Sequence, residues 1–180
     1  MEHLIESGAV DGVLDVTLTE VMHAMVPGGL LSSGPQRLET AGRLGVPQVV
    51  SVGALDGFTF EDRAAIPNEY RTRKMFVNNA KFTRVRSSSE ECSRVGEIVA
   101  KKLNASRGPV TLIIPRKGLS HISKPGSPLE DPVADEALFE SIRTHIDPKK
   151  VCLIERDEHI NEPEFAAALV DALHAQLKHY

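Results

Sequence analysis

Pro109-Val110-Thr111-Leu112-Ile113-Ile114 reads as a β-strand without a polar face. A strand with one side in water alternates apolar and polar residues, whereas a near-continuous run of branched side chains is covered on both sides, as parallel sheets are when helices pack on each face. Pro115-Arg116-Lys117-Gly118 ends it. On its amino side, Ser88 and Glu91 have capping-box spacing, and Cys92, Val95, Val99 and Leu103 recur at three and four residues, which predicts a helix to about Asn104. On its carboxyl side, Asp131 is placed as N-cap and Pro132 at the first helical position of a helix running to about His145, with Leu138 and Ile142 inward.

Helix, strand, helix is the unit of an α/β fold, and the rest of the chain repeats it. Gly12 to Val16, Val46 to Val52, Lys74 to Val77 and Val151 to Ile154 read as four more strands. Short helices are predicted over Glu2 to Ser7, capped by Gly8, over Thr19 to Met25, and over Gln36 to Leu44, capped by Gly45. A last helix begins at Asn161, with Glu164 three residues on, and carries Phe165, Leu169, Ala172, Leu173 and Leu177 on one stripe. Right-handed crossovers then give one α/β domain over residues 1–180: an open, mostly parallel five-stranded sheet with helices on both faces, Rossmann-like. The stretch from Gly53 to Arg73 reads as polar and irregular, and Asn78 to Arg86 as the exit of the third strand.

Composition narrows the partners. A net charge of -4 over 180 residues gives no general attraction to nucleic acid or anionic lipid. The apolar runs are too short to span a bilayer and the start is unlike an export signal, so the expected location is the cytoplasm. Cys92 and Cys152 lack zinc-site spacing and read as buried free thiols, with no metal site expected. A chain that starts inside a helix reads as a piece of a longer polypeptide.

Ligands of open parallel sheets sit beyond the strand carboxyl ends, where strand order reverses. Those exits are polar here: Thr17 and Thr19, then Ser51, Gly53 and Asp56, then Asn78 and Asn79, then Arg116 and Gly118, and last Asp157, His159 and Asn161. The turn from Pro27 to Arg37 adds Gly28, Gly29, Ser32, Ser33 and Gly34 before a helix, the composition of an anion-binding turn or of a tight reversal. His159 suits a general base or ligand contact, or the bracing of its loop. Asp56 suits a ribose hydroxyl or magnesium, or an Asp-Gly turn. Arg84 and Arg86, beside Lys81, form a local basic patch that suits phosphate or a solvated face. The candidate ligand-binding set is Gly28, Gly29, Ser32, Ser33, Gly34, Asp56, Asn78, Arg116, Gly118 and His159. No Walker lysine motif or nucleophile elbow is present, and no catalytic residue is assigned.

Gly12-Val13-Leu14-Asp15, Gly29-Leu30-Leu31-Ser32-Ser33-Gly34-Pro35, Pro47-Gln48-Val49-Val50-Ser51, Gly53-Ala54-Leu55-Asp56, Asp131-Pro132 and His159-Ile160-Asn161-Glu162-Pro163-Glu164-Phe165, in that order, resemble the family of the tomato mosaic virus resistance protein. The likeness extends over nearly the whole chain. It implies the second of two α/β domains of a unit described as ATP-binding, found in bacteria, fungi and plants and often followed by a barrel domain. ATP with magnesium is then the implied cofactor. In the tomato protein the unit binds a viral replication protein and inhibits RNA replication, whereas bacterial and fungal relatives have no agreed reaction. Family members carry a histidine- and glycine-containing turn just before the position of Met1, and this chain holds neither that turn nor the first domain. An ATP site made mostly by the first domain would leave this segment alone without nucleotide. Two readings stay open: a domain that binds a nucleotide or another anionic small molecule, and an interaction module that forms a homodimer or docks a protein such as a viral replication protein.

Overall fold

The computed structural model describes residues 1–26, 30–61 and 63–178. Four strands, β1 (Val13–Thr17), β2 (Gln48–Gly53), β6 (Val110–Pro115) and β7 (Val151–Arg156), form a parallel sheet in the order β1-β2-β6-β7. Each crossover steps in the same direction, so right-handed connections carry their helices to one face. Val50 and Val52 of β2 and Leu112 and Ile114 of β6 point to that face. There they pack with α2 (Thr19–His23), α4 (Ser89–Asn104) and α5 (Pro132–His145). Val49 and Ile113, one residue out of phase, pack on the other face against Ile160 and against Phe165 and Leu169 of α6 (Pro163–Leu177). This alternation explains why the Val110 to Ile114 run has no polar face. Two short helices, α1 (Glu2–Glu6) and α3 (Thr40–Leu44), meet beside the start of β1, where Ile5, Val13 and Ala41 form a small cluster.

The five-stranded sheet is corrected to four. Lys74 to Val77 belongs to β4 (Met75–Asn79), which joins β3 (Gly57–Phe60) and β5 (Phe82–Arg86) in a separate antiparallel sheet of order β3-β5-β4. A parallel neighbour needs a crossover of a dozen residues or more, and only Ala80 and Lys81 separate β4 from β5. Asn79 Oδ1 accepts from Lys81 N–H (2.9 Å) and Phe82 N–H (3.0 Å) and closes that turn. β3 lies in the stretch read as irregular, and its Phe58 and Phe60 enter the same core as Val50 and Leu112. Strand order never reverses among the parallel strands, so the crevice expected at a reversal has no counterpart.

Most helix ends agree with their caps. Ser88 and Glu91 form the capping box of α4, and Asp131 Oδ1 accepts from Ala134 N–H with Pro132 at the first position of α5. α3 ends on Gly45 at φ 81°, but starts at Thr40 instead of Gln36. The cap of α6 is Glu162, not Asn161, because Pro163 takes the first helical position and fixes the chain there. α4 and α5 touch closely where Gly96 lies against Leu138 and Ser141, and Ser141 Oγ donates to Ser93 O (2.6 Å). Cys92 is buried as expected, whereas Cys152 is exposed: it lies on the edge strand β7. Among the described residues no helix is long and apolar enough to cross a membrane.

Candidate functional site

The antiparallel sheet leans over the carboxyl ends of β2 and β6 and leaves a cleft of about 340 Å³. Ala54, just past β2, forms one wall with Ser120, His121 and Ile122 of the loop after β6, while Thr59, Phe76, Asn78 and Arg84 come from the antiparallel strands. Ala54 sits at φ 57°, in the left-handed region that costs a residue with a Cβ about 1 kcal/mol or more. It is held there at both ends: its N–H donates to Leu119 O (2.9 Å) and its carbonyl accepts from Arg84 Nη2 (2.8 Å).

Arg84 is the charged group of this cleft. Its Nη2 also donates to Asp56 Oδ1 at 2.6 Å, Nη1 reaches Thr59 Oγ1 only at 3.5 Å, and Nε is buried without a hydrogen-bond partner. Asp56 is fully buried, and its second oxygen accepts from Ser120 Oγ. Burial alone raises the Asp56 carboxyl, but the Arg84 charge and hydrogen bonds from Ser120, Arg84 and Ser123 outweigh it and hold the group below its ordinary value. Asp56 is therefore a carboxylate with both oxygens engaged. Its carbonyl accepts from Arg86 Nη1 (2.6 Å), and Arg86 Nη2 donates to Asp131 O (3.0 Å) and pairs with Asp135. Burial pushes Asp135 up to about 6, more than Arg86 takes back, with Asp56 and Asp131 adding to the rise. The result is two arginines of β5 and two aspartates that tie the antiparallel sheet to the end of β2 and to α5.

Behind the cleft lies His23, 1% exposed. The N–H groups of Thr59 (3.0 Å to Nε2) and Leu31 (3.2 Å to Nδ1) both point at its ring, which can accept from one of them at a time. Burial, helped by the Arg84 charge and opposed by Glu20, lowers its pKa to about 4. The imidazole is neutral at ordinary pH.

The expected site residues divide among separate places. Asn78 lines the cleft and Asp56 lies directly behind it. Arg116 and Gly118 line a second cleft of about 170 Å³ with Asp135, on the other side of the loop after β6. His159 is next to Gly118 but braces the chain: its Nδ1 accepts from Asn161 N–H (3.2 Å), which places the proton on Nε2, and Nε2 donates to Ser120 O (2.9 Å). Ser33 lines a third cleft, of about 410 Å³, beside β1. Ser32 Oγ accepts from Gly34 N–H (3.4 Å), and Gly34 sits at φ 85°. Gly28 and Gly29 lie outside the described residues.

Around that third cleft the protein supplies its own anions. Arg37 is held by both oxygens of Asp15 and by Glu20 Oε2 (3.3 Å). Glu2 accepts from the N–H groups of Leu38 (3.1 Å) and Thr40 (3.2 Å) at the start of α3. Burial works against ionisation of Glu2, but bonds from Thr40 and Leu38 and the Arg37 charge bring its carboxyl below the ordinary value.

The sequence places Arg84 and Arg86 in a basic patch but does not reveal their ion pairs with Asp56 and Asp135, nor the part of Ser120. The available signal was alternation: Phe82-Thr83-Arg84-Val85-Arg86 has period two, and it places both arginines on the face opposite Thr83 or Val85 only once the run is taken as a strand. Both Asp56 oxygens are engaged, by Arg84 and by Ser120, and among the described residues no group of three or more His, Cys, Asp or Glu could hold a metal ion.

Residues 1–177 match the model of the Uncharacterised protein family (UPF0261) C-terminal domain. The chain is 39% identical to a UPF0261 protein of Clostridium tetani over 173 residues, 96% of this chain and 43% of that protein. It is 40% identical to a UPF0261 protein of Rhizobium meliloti, again over 96% of this chain and 43% of the relative. Against the ToMV resistance protein Tm-1(GCR237) of Solanum lycopersicum the identity is 34%, over 96% of this chain and 23% of the relative. The chain thus spans less than half the length of these curated relatives. It belongs to the UPF0261 family, to whose C-terminal domain it corresponds.

Proposed function

We propose that this domain binds a small anionic molecule in the cleft beyond β2 and β6, with Arg84 as the residue that fixes the anion. The observation that carries the reading is the guanidinium itself. Of its five N–H groups, those on Nη2 are well used, Nη1 has one long contact, and Nε has none. Charge-assisted hydrogen bonds are about twice as strong as neutral ones, so an anion opposite Nη1 gains more than the long Thr59 contact supplies.

Further support comes from the setting. The cleft volume lies at the lower end of the roughly 300–1,000 Å³ usual for small-molecule sites. Strained Ala54 forms its wall, and Asn78, Thr59 and His121 add polar contacts. A nucleotide, implied by the family resemblance, is one candidate anion.

Calorimetric titration with inorganic phosphate, acetate and ATP with magnesium tests the proposal. Binding by at least one of them that is lost in Arg84→Met, with circular dichroism unchanged, is the expected result. No heat from any anion, or binding indifferent to Arg84, overturns it.

A further inference from the structure

The charge balance of the cleft narrows the ligand, and the argument rests on the anion reading just given. Arg84 is the one permanently charged side chain in the lining, where no lysine appears among the described residues, and His121 adds charge only when protonated. Directly behind Arg84, the ionised and fully buried Asp56 already offsets one positive charge. Beyond it, Arg86 is offset by Asp135. The charged groups therefore sum to about zero before any ligand arrives. A single negative charge is held by Nη1 of Arg84; a second, as on a phosphate ester, meets no second cation in the lining among the described residues and feels the charge of Asp56 buried behind Arg84. Phosphate sites ordinarily add a helix N-terminus, a glycine-rich loop or several cations, and among the described residues none of these lines this cleft. Ala54, Phe76 and Ile122 instead supply an apolar wall suited to a hydrocarbon or aromatic body.

We infer that the cleft is selective for a monocarboxylate with an apolar body: its carboxylate faces Arg84 and Asn78, its body lies against Phe76 and Ile122, and phosphate esters are discriminated against by Asp56.

The test is a set of calorimetric titrations of the whole chain near neutral pH with benzoate, phenylacetate, inorganic phosphate and ATP with magnesium. The carboxylates are expected to bind about tenfold or more tightly than the phosphates, the size of one unfavourable charge pair. Asn78→Asp places a negative charge at the rim without touching the buried Arg84–Asp56 pair, and is expected to weaken carboxylate binding by about tenfold. Asp56→Asn, if folded by circular dichroism, is expected to raise phosphate affinity relative to carboxylate; if it does not fold, Asn78→Asp carries the test alone. Arg84-dependent binding of phosphate or ATP without carboxylate binding overturns this selectivity and leaves the anion cleft standing. Carboxylate binding that Asn78→Asp leaves unchanged also overturns it, and absence of binding by both classes overturns this inference together with the proposed function.

Discussion

Arg84 of β5 donates to Asp56 Oδ1 at 2.6 Å and so joins a strand of the antiparallel sheet to the turn that leaves β2 of the parallel sheet. One arginine therefore does two tasks. Nη2 ties the sheets together, and the rest of the guanidinium gives the cleft its charge.

Removing either partner leaves the other charge buried and alone. Asp56→Ala and Arg84→Met are each expected to cost about 3–5 kcal/mol in urea denaturation, and the double variant clearly less than their sum. Strict additivity would show that the two side chains do not depend on each other.

His23 gives the stability a pH dependence. Its folded pKa is about 4 against an ordinary 6.5, so the unfolded chain binds the proton more readily. The stabilisation is complete above pH 6.5 and is lost as the pH falls toward 4, by about 3 kcal/mol at full extent. Denaturation at a series of pH values checks this, and His23→Gln should remove that part of the slope.

Asp135 acts with the opposite sign in an overlapping window. Its carboxyl titrates near 6 in the fold and near 3.8 when unfolded, so its contribution is intact below about 3.8 and declines as the pH rises through 6. In the same series, Asp135→Asn should gain stability relative to the wild type between pH 4 and 7, whereas His23→Gln should lose it. Identical slopes for the two variants would contradict the assignment.

Gly96 decides between helix propensity and packing. Alanine in mid-helix ordinarily gains about 1 kcal/mol over glycine. At this position an added Cβ would come within 2.9 Å of Leu138 O and 3.0 Å of Ser141 Cβ, and the backbone carbonyl cannot swing away. Gly96→Ala is expected to lower the melting temperature; an increase would mean that α4 and α5 separate easily.

His23 also offers a probe of the cleft. Part of its depressed pKa comes from the Arg84 charge, and an anion at Arg84 would screen that charge. Saturation with benzoate should therefore raise the His23 pKa measured by NMR, and a pKa that stays fixed at saturation would place the ligand elsewhere.

The parallel half of the fold was legible because its signals are local. The apolar run to Ile114, the Ser88–Glu91 box and the Asp131–Pro132 start each depend on a few neighbouring residues, and all three hold in the structure. The antiparallel sheet was not legible because its strands are short and carry charged residues whose burial depends on partners far along the chain. Arg84 and Arg86 resemble a solvated patch until Asp56 and Asp135, 28 and 49 positions away, are brought beside them. Glu2 likewise meets the N–H groups of Leu38 and Thr40 only because the chain brings together residues 36 and 38 positions apart. The Ser120 O contact of His159, 39 positions away, is also beyond local sequence signals.

Because the crossovers of the parallel sheet all fall on one side, α6 is, among the described residues, the helix that covers its reverse. Phe165 and Leu169 are the residues of α6 that seal Val49 and Ile113 from solvent. Proteolytic clipping ahead of Pro163 would loosen that lid and turn the bared valine and isoleucine row into an adhesive surface, so resistance of this domain to aggregation depends on how firmly α6 stays seated.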